Sequence, residues 1–332
     1  MEFISLGGIF EHGRNCFCIK GNKKQILLDC GEGETGDLPS FDLIDVSKVD
    51  ALFVSHSHLD HTGAIKSFIE KGFKGNIYLS KPTYDCLSYK PSNVAFLKPN
   101  EELVIDSTLK VLPRRSGHCF GSLSFQIEIE DKTVLYTGDY LESNVFKCDY
   151  LRDVKADLAI VDSAYTNEKN YLENKLSLSF LLFKLMGKTI LPLPKNGRNM
   201  DIISLLNEND IPYHLLNANF FIEEENVYLK NKVEIKDTED ADVILIQDPQ
   251  LENKESRRIV DEYKDANIIF TGTIDEGSYS DYLFKNRKNC YFSRINVHQD
   301  REEAVSLVSK NDFKNVIYFH NKELDDKKEL VF

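Results

Sequence analysis

Short apolar blocks separated by turn residues open the chain. Phe3 to Leu6, Phe17 to Lys20 and Gln25 to Leu28 pattern as strands, with turn signals at Gly7-Gly8, Gly13 and Gly21-Asn22. Ala51-Leu52-Phe53-Val54 is an apolar strand that runs straight into a histidine-rich segment. The pattern then predicts a helix over Ala64 to Glu70 and a strand pair, Leu123 to Ile129 and Thr133 to Thr137, around Glu130-Asp131-Lys132. The middle of the chain reads differently. Apolar strands at Thr189–Leu191, Val243–Ile246 and Asn267–Phe270 alternate with helical stretches, one of them near Met200 to Leu206. That alternation suits a doubly wound parallel sheet. The end returns to the first style, with a helix expected from His298 through Val308 and a strand from Asn315 to Phe319 that stops at His320. The expectation is an α/β protein in which residues 169–292 form a smaller domain inserted into a larger one made of 1–168 and 293–332.

Composition narrows the class without naming a function. The 332 residues are 42% apolar and 29% charged, ordinary for a globular protein, and allow one large domain or two smaller ones. No apolar run approaches the roughly 18 residues a membrane span needs. Met1 to Gly8 lacks a basic stretch followed by a long apolar one, so a cytoplasmic location with no membrane contact is expected. Seven cysteines without an export signal suggest free thiols, with Cys16 and Cys18 as alternate residues of a half-buried strand. A net charge of −13 argues against indiscriminate binding of polyanions, although the local sign at a site matters more than the total.

Chemistry concentrates in Ser55-His56-Ser57-His58-Leu59-Asp60-His61. Alternate residues of an extended segment point the same way, so His56 and His58 can face one ion, while Asp60 and His61, in the turn that follows, can face a neighbouring one. His118 lies between glycines in Ser116-Gly117-His118-Cys119-Phe120-Gly121-Ser122, and Asp139 ends the strand-like Leu135-Tyr136-Thr137-Gly138-Asp139, where a carboxylate could bridge two metals. Asp29, at the end of Ile26-Leu27-Leu28, reads as an acceptor that orients a histidine ligand. His12 and His214 match no motif and are expected to be structural or exposed.

LLDCG, SHSHLDHTGA, SGHCFGS and LYTGDY together resemble the metallo-β-lactamase superfamily, and more narrowly its β-CASP branch, which includes ribonuclease J-type enzymes and the cleavage endonuclease of messenger-RNA 3′-end processing. Val161-Asp162-Ser163-Ala164-Tyr165, Asn296-Val297-His298-Gln299-Asp300-Arg301 and Ile317-Tyr318-Phe319-His320 are similar to that branch's additional motifs, and Pro194-Lys195-Asn196-Gly197-Arg198 to its Gly-Arg loop. Ala164 departs from the usual Thr, and Asn321 from the usual Gly after the last histidine. The resemblance implies a four-layer αβ/βα sandwich carrying an inserted, smaller doubly wound domain. It also implies two zinc ions, with manganese as the other candidate. His56, His58 and His118 would hold the first ion, Asp60, His61 and His320 the second, and Asp139 would bridge. His298 and Asp162 would act in proton transfer, Asp60 would be catalytic as a metal ligand, and Ser122 and Arg198 would hold phosphate oxygens or serve structure. The implied reaction is hydrolysis of RNA, read as single-stranded, by hydroxide that the two ions activate. Within the branch, a histidine at the third motif goes with RNA-directed members, as at His320. A DNA-directed nuclease and a hydrolase of a small thioester, lactone or phosphodiester are the competing readings. Oligomeric state stays open.

Overall fold

Alternation of side chains at a period of two builds the first part of the molecule. Its strands are β1 (Glu2–Gly7), β2 (Cys16–Lys20), β3 (Gln25–Leu28), β4 (Ala51–Phe53), β5 (Asn76–Ser80) and β6 (Val94–Leu97), followed by β7 (Leu103–Asp106), β8 (Leu109–Arg115), β9 (Leu123–Ile129), β10 (Lys132–Tyr136), the short β11 (Lys155–Ala156) and β12 (Leu158–Asp162). Next come β13 (Thr189–Pro192), β14 (Tyr213–Leu215), β15 (Val243–Ile246), β16 (Asn267–Phe270) and β17 (Cys290–Phe292), and the chain closes with β18 (Asp312–Phe313) and β19 (Val316–Phe319). The helices are α1 (Leu59–Thr62), α2 (Ile65–Glu70), α3 (Lys81–Cys86), α4 (Tyr171–Lys184), α5 (Arg198–Glu208), α6 (Lys254–Glu262), α7 (Tyr279–Asn286) and α8 (Arg301–Ser309). This computed structural model describes residues 1–143, 145–165, 170–216 and 237–321. The chain divides into two units, one of Met1–Glu142, Lys147–Glu168 and His298–Phe332, the other of Ser143–Phe146 and Lys169–Val297.

In the first unit, β1 to β6 form one six-stranded sheet in sequence order, antiparallel through β3 and parallel from β3 to β6. The second six-stranded sheet has the order β19-β12-β10-β9-β8-β7, with β10, β12 and β19 parallel. Facing side chains of the two sheets share a core: Phe17, Ile19, Ile26, Leu28 and Phe53 meet Val111, Phe125, Ile127, Tyr136 and Ile160. Each buried side chain of this size contributes about 1.5–3 kcal/mol relative to exposure. The intervening positions point the other way. Cys16, Cys18, Leu27, Leu52 and Ile77 are covered by Ile65 and Phe68 of α2, and Leu135, Ala159 and Val161 pack with Leu307 of α8. Helix, sheet, sheet and helix are the four layers.

Three local expectations need correcting. Cys16 and Cys18 are fully buried rather than half-buried, because helical residues cover the outer face of their sheet. Asp60 and His61 lie ahead of α2, as expected, but in the single helical turn α1 rather than in a non-helical turn. The helix expected from His298 starts at Arg301, because the Asp300 carboxylate accepts from Glu303 N at 2.9 Å while Glu303 answers Asp300 N at 3.2 Å, a capping box that stops the helix there.

The second unit is built on a parallel five-stranded sheet of order β14-β15-β13-β16-β17. β13, β15 and β16 are buried at every position, as strands covered on both faces must be, which accounts for their unbroken apolar runs.

Candidate metal centre

Parallel strands bring the site together. The segments leaving the C-terminal ends of β3 and β4 supply Asp29 and then His56 to His61. In the other sheet, β12 ends on Asp162, and the segments after β10 and β19 supply Asp139 and His320. In open α/β sheets the crevice beyond the carboxyl ends of the strands is where ligands are held. His118 arrives from the β8–β9 connection, where Gly117 adopts φ +80°. A Cβ on Gly117 would stand 2.0 Å from Leu141 O, so only glycine lets the turn approach this closely. Asp29 and His320 both take left-handed backbone conformations, φ +55° and +68°, which bend the chain sharply at the two strand ends.

Three overlapping sets result among the described residues, and all share Asp139. The potential ligand atoms of His56, His58, His118 and Asp139 lie within 4.8 Å of one another, as do those of a second set, Asp60, His61, Asp139 and His320, and those of a third, Asp139, Asp162, His298 and His320. Asp139 Oδ2 faces the first set, 3.5 Å from His56 Nε2 and 3.5 Å from His118 Nε2. Its Oδ1 faces the second, 3.2 Å from His61 Nε2 and 3.4 Å from His320 Nδ1. Asp60 Oδ2 completes the second set at 3.4 Å from His61 and 3.3 Å from His320.

The electrostatics suit cations. Burial holds His56 and His58 below the ordinary histidine range, which keeps their ring nitrogens available as neutral ligands. In the second set, burial opposes charge on His61 and His320, but Asp139 and Asp60 overcome it and raise both, His320 to about 10. Burial likewise disfavours ionised Asp139, yet His61, His298, His320 and His56 hold it well below the ordinary carboxylate range. Asp139 Oδ1 and His320 Nδ1 are buried with no hydrogen-bond partner, in a pocket whose carboxylates already draw protons onto the neighbouring imidazoles. Buried nitrogen and oxygen donors in this arrangement fit a metal such as zinc or manganese.

Around the sets stand the groups that orient them. Asp29 Oδ2 accepts from His61 Nδ1 at 2.7 Å and from Tyr136 OH at 2.6 Å, and its two oxygens accept from Ser55 N and Oγ at 2.6 and 2.7 Å. This bond leaves His61 Nε2 for the site. His298 Nδ1 lies 2.9 Å from Asp162 Oδ2, and Asp162 is itself held by Tyr140 N and Ala164 N, each at 3.1 Å. His298 packs on the rings of His118, His320 and Tyr165 at centroid distances of 4.9, 5.0 and 4.7 Å. Ser122 and Arg198 have local partners. The Ser122 hydroxyl accepts from Ser116 Oγ at 2.8 Å and Cys119 N at 3.2 Å inside the turn that carries His118. Arg198, in the second unit, donates Nε to Ile295 O at 3.1 Å.

Two residues escaped the sequence reading. Asn15 Nδ2 lies 3.3 Å from Asp60 Oδ2 and 2.9 Å from His61 Nε2, and the ring of His12 meets that of His320 edge-on at 5.5 Å. Asn15 follows the Gly13 turn but carries no local mark of its own, and the ring partner of His12 comes from the far end of the chain.

Residues 10–176 match the metallo-β-lactamase superfamily. The chain is a member of that superfamily. The matched stretch contains His56, His58, Asp60, His61, His118, Asp139 and Asp162, whereas His298 and His320 come from beyond it. Among superfamily relatives, an RNase J-like protein of Methanocaldococcus jannaschii is 30% identical over 231 residues, covering 60% of this chain and 53% of its own length. Endoribonuclease YSH1 of Gibberella zeae is 27% identical over 248 residues, covering 63% of this chain and 30% of its own length. The chain therefore spans between about a third and about half the length of these relatives. The fold is similar to that in a crystal structure of a protein of unknown function from Enterococcus faecalis V583, with a TM-score of 0.62 at 14% identity, covering 98% of this chain and 96% of that one. Among the described residues no helix is long and apolar enough to cross a membrane.

Proposed function

We propose that this protein is a metal-dependent hydrolase of RNA phosphodiester bonds, of the β-CASP type, with the second unit as its inserted domain and single-stranded RNA as its substrate. The observation that carries the reading is Asp139, whose two oxygens face two separate ligand sets, with the His298–Asp162 pair alongside. The relatives named as an RNase J-like protein and an endoribonuclease support RNA as the polymer. In this reading His56, His58 and His118 would hold one ion, Asp60, His61 and His320 would hold the other, and Asp139 would serve both. Zinc is the expected metal and manganese the alternative. When bound, such ions would acidify a shared water and neutralise charge developing at phosphorus.

The chain's own groups do the rest. Asp29 keeps His61 oriented through Nδ1. Asp162 holds His298 by Nδ1, leaving Nε2 to deliver a proton to the departing ribose oxygen. Ser122 supports the His118 turn, and Arg198 Nε supports the second unit through Ile295 O. Seven free cysteines suit a reducing, cytoplasmic setting.

The deciding experiment incubates protein loaded with zinc, and separately with manganese, with 5′-labelled single-stranded RNA and DNA of matched sequence. The His58→Ala/Asp60→Ala double variant controls for contaminating nuclease. Metal-dependent cleavage of RNA that the variant lacks is expected. If neither polymer is cut while the protein binds metal, the RNA reading is wrong and small esters and small phosphodiesters become the substrates to examine.

The acid role makes a separate prediction. His298→Ala should lower kcat on RNA by about 10²- to 10⁴-fold with metal content unchanged. On a phosphodiester with a p-nitrophenolate leaving group, which departs without a proton, the loss should be far smaller. Equal losses on both substrates would remove His298 from the proton-transfer step.

A further inference from the structure

Helix α4, in the second unit, is apolar on two faces. Tyr171, Asn174 and Leu178 make its buried face. Leu172, Leu176, Phe180 and Phe183 point the other way, each 61–68% exposed, and Met186 just past the helix is 89% exposed. Steps of four, four and three residues hold the four side chains on one stripe, about 80° wide at 100° per residue. A helix that is apolar all round is normally covered all round. The stripe runs nearly the full length of a 14-residue helix, roughly 20 Å. With Met186 it presents on the order of 600 Å² of apolar surface, the upper limit of what a monomer leaves to solvent. Its edges differ. Glu173 and Lys184, both exposed, lie on one edge near opposite ends, with the Lys184 ammonium 5.9 Å from the Phe180 ring. On the other edge Lys175 is paired with Glu208 of α5 at 3.0 Å.

We propose that α4 is a self-association face, through which two copies of this chain pair with their α4 helices antiparallel about a two-fold axis. The near-palindromic order of the stripe favours a second copy over a different protein. With the axis close to residue 178, Leu172 of one copy lies opposite Phe183 of the other, and Leu176 lies opposite Phe180, so each contact joins a smaller side chain to a larger one. The same operation sets Glu173 of one copy beside Lys184 of the other, and does so twice, because both residues lie on the same edge of the stripe. Parallel pairing would instead set Glu173 against Glu173 and Lys184 against Lys184. Antiparallel helices also bring opposite dipole ends together. With Glu173, Ser177 and Lys184 at its margin, the patch approaches the roughly 800 Å² that each partner gives to a specific interface. Such a contact is isologous and closes at two copies. The apolar stripe supplies affinity, and the two ion pairs set the direction of the helices.

The test is sedimentation velocity of the whole chain from about 1 to 100 μM, which spans the weak end of affinities for an interface of this area. The wild-type protein is expected to be a dimer in the upper part of that range. Leu176→Asp/Phe180→Asp is expected to be a monomer throughout, with the wild-type circular dichroism spectrum. Glu173→Lys and Lys184→Glu, both at exposed positions that leave the apolar stripe intact, should each weaken the dimer about tenfold. The variant carrying both changes should recover it, and so should an equimolar mixture of the two single variants, in which each Lys at 173 meets a Glu at 184. A wild-type protein that stays monomeric at the highest concentration would overturn the proposal; if that monomer co-floated with lipid vesicles and the Asp variant did not, the stripe would belong to a membrane surface instead. A dimer that none of these substitutions weakens would place the interface elsewhere and overturn it too. Charge reversals that weaken the dimer without rescuing one another would overturn the antiparallel arrangement.

Discussion

Asparagine in place of Asp139 is expected to reduce RNA cleavage by about 10²- to 10³-fold or more and to lower bound metal, with the fold retained. The change is nearly isosteric, but the amide can offer only one oxygen. Asp139 uses both of its oxygens, Oδ2 toward His56 and His118 and Oδ1 toward His61 and His320. One of the two sets must therefore face an N–H where it had a lone pair. The loss also removes the negative charge that, together with Asp60, raises His61 and His320 above their ordinary range. Metal analysis by inductively coupled plasma spectrometry and a cleavage time course would check both parts. A variant with full metal content and unimpaired cleavage would show that the shared position of Asp139 has no functional weight.

The second large effect is expected at a residue that carries no chemistry. Gly31 follows Asp29 and Cys30, and a Cβ placed on it would stand 1.6 Å from Asp60 O and 2.8 Å from His61 N. Both are backbone atoms, so no rotamer change relieves the overlap. Either β3 and its following loop or helix α1 must move, and the hydrogen bonds Cys30 N to His61 O and Glu32 N to Leu59 O, at 2.9 and 3.0 Å, tie the two together. Gly31→Ala is expected to cost about 3 kcal/mol of stability and to displace Asp60 and His61 from the second ligand set. Thermal unfolding and metal content measured together would decide this. A melting temperature and metal content both equal to wild type would mean that the loop and α1 separate at little cost.

The sequence alone determined the part of the site that is local. His56, His58, Asp60 and His61 fall within six residues, and a strand end followed by one helical turn is enough to place them, so their spacing already spoke of metal. The apolar periodicities of β2, β3, β9 and β10 were equally local, and the structure has strands there. His118 and Asp139 stood out only because the histidine run upstream called for further ligands, and Asp162, His298 and His320 could be found from the chain only through a family resemblance, because each is an ordinary residue at the end of an ordinary segment. What makes them a site is the parallel registry of β10, β12 and β19, which sets three strand ends side by side, and pairings such as Tyr136 OH to Asp29 and His298 to Asp162 between residues more than a hundred positions apart. The same holds for His12 and Asn15, whose neighbours are decided by how a loop near the start of the chain packs on α1 and on the end of β19. Helix limits also waited on the structure: nothing in the apolar pattern around His298 marks the capping box at Asp300 that keeps this histidine out of α8 and leaves it against Asp162. Local spacing fixes which residues one ion can share, whereas long-range packing fixes which two sets of ligands meet at Asp139.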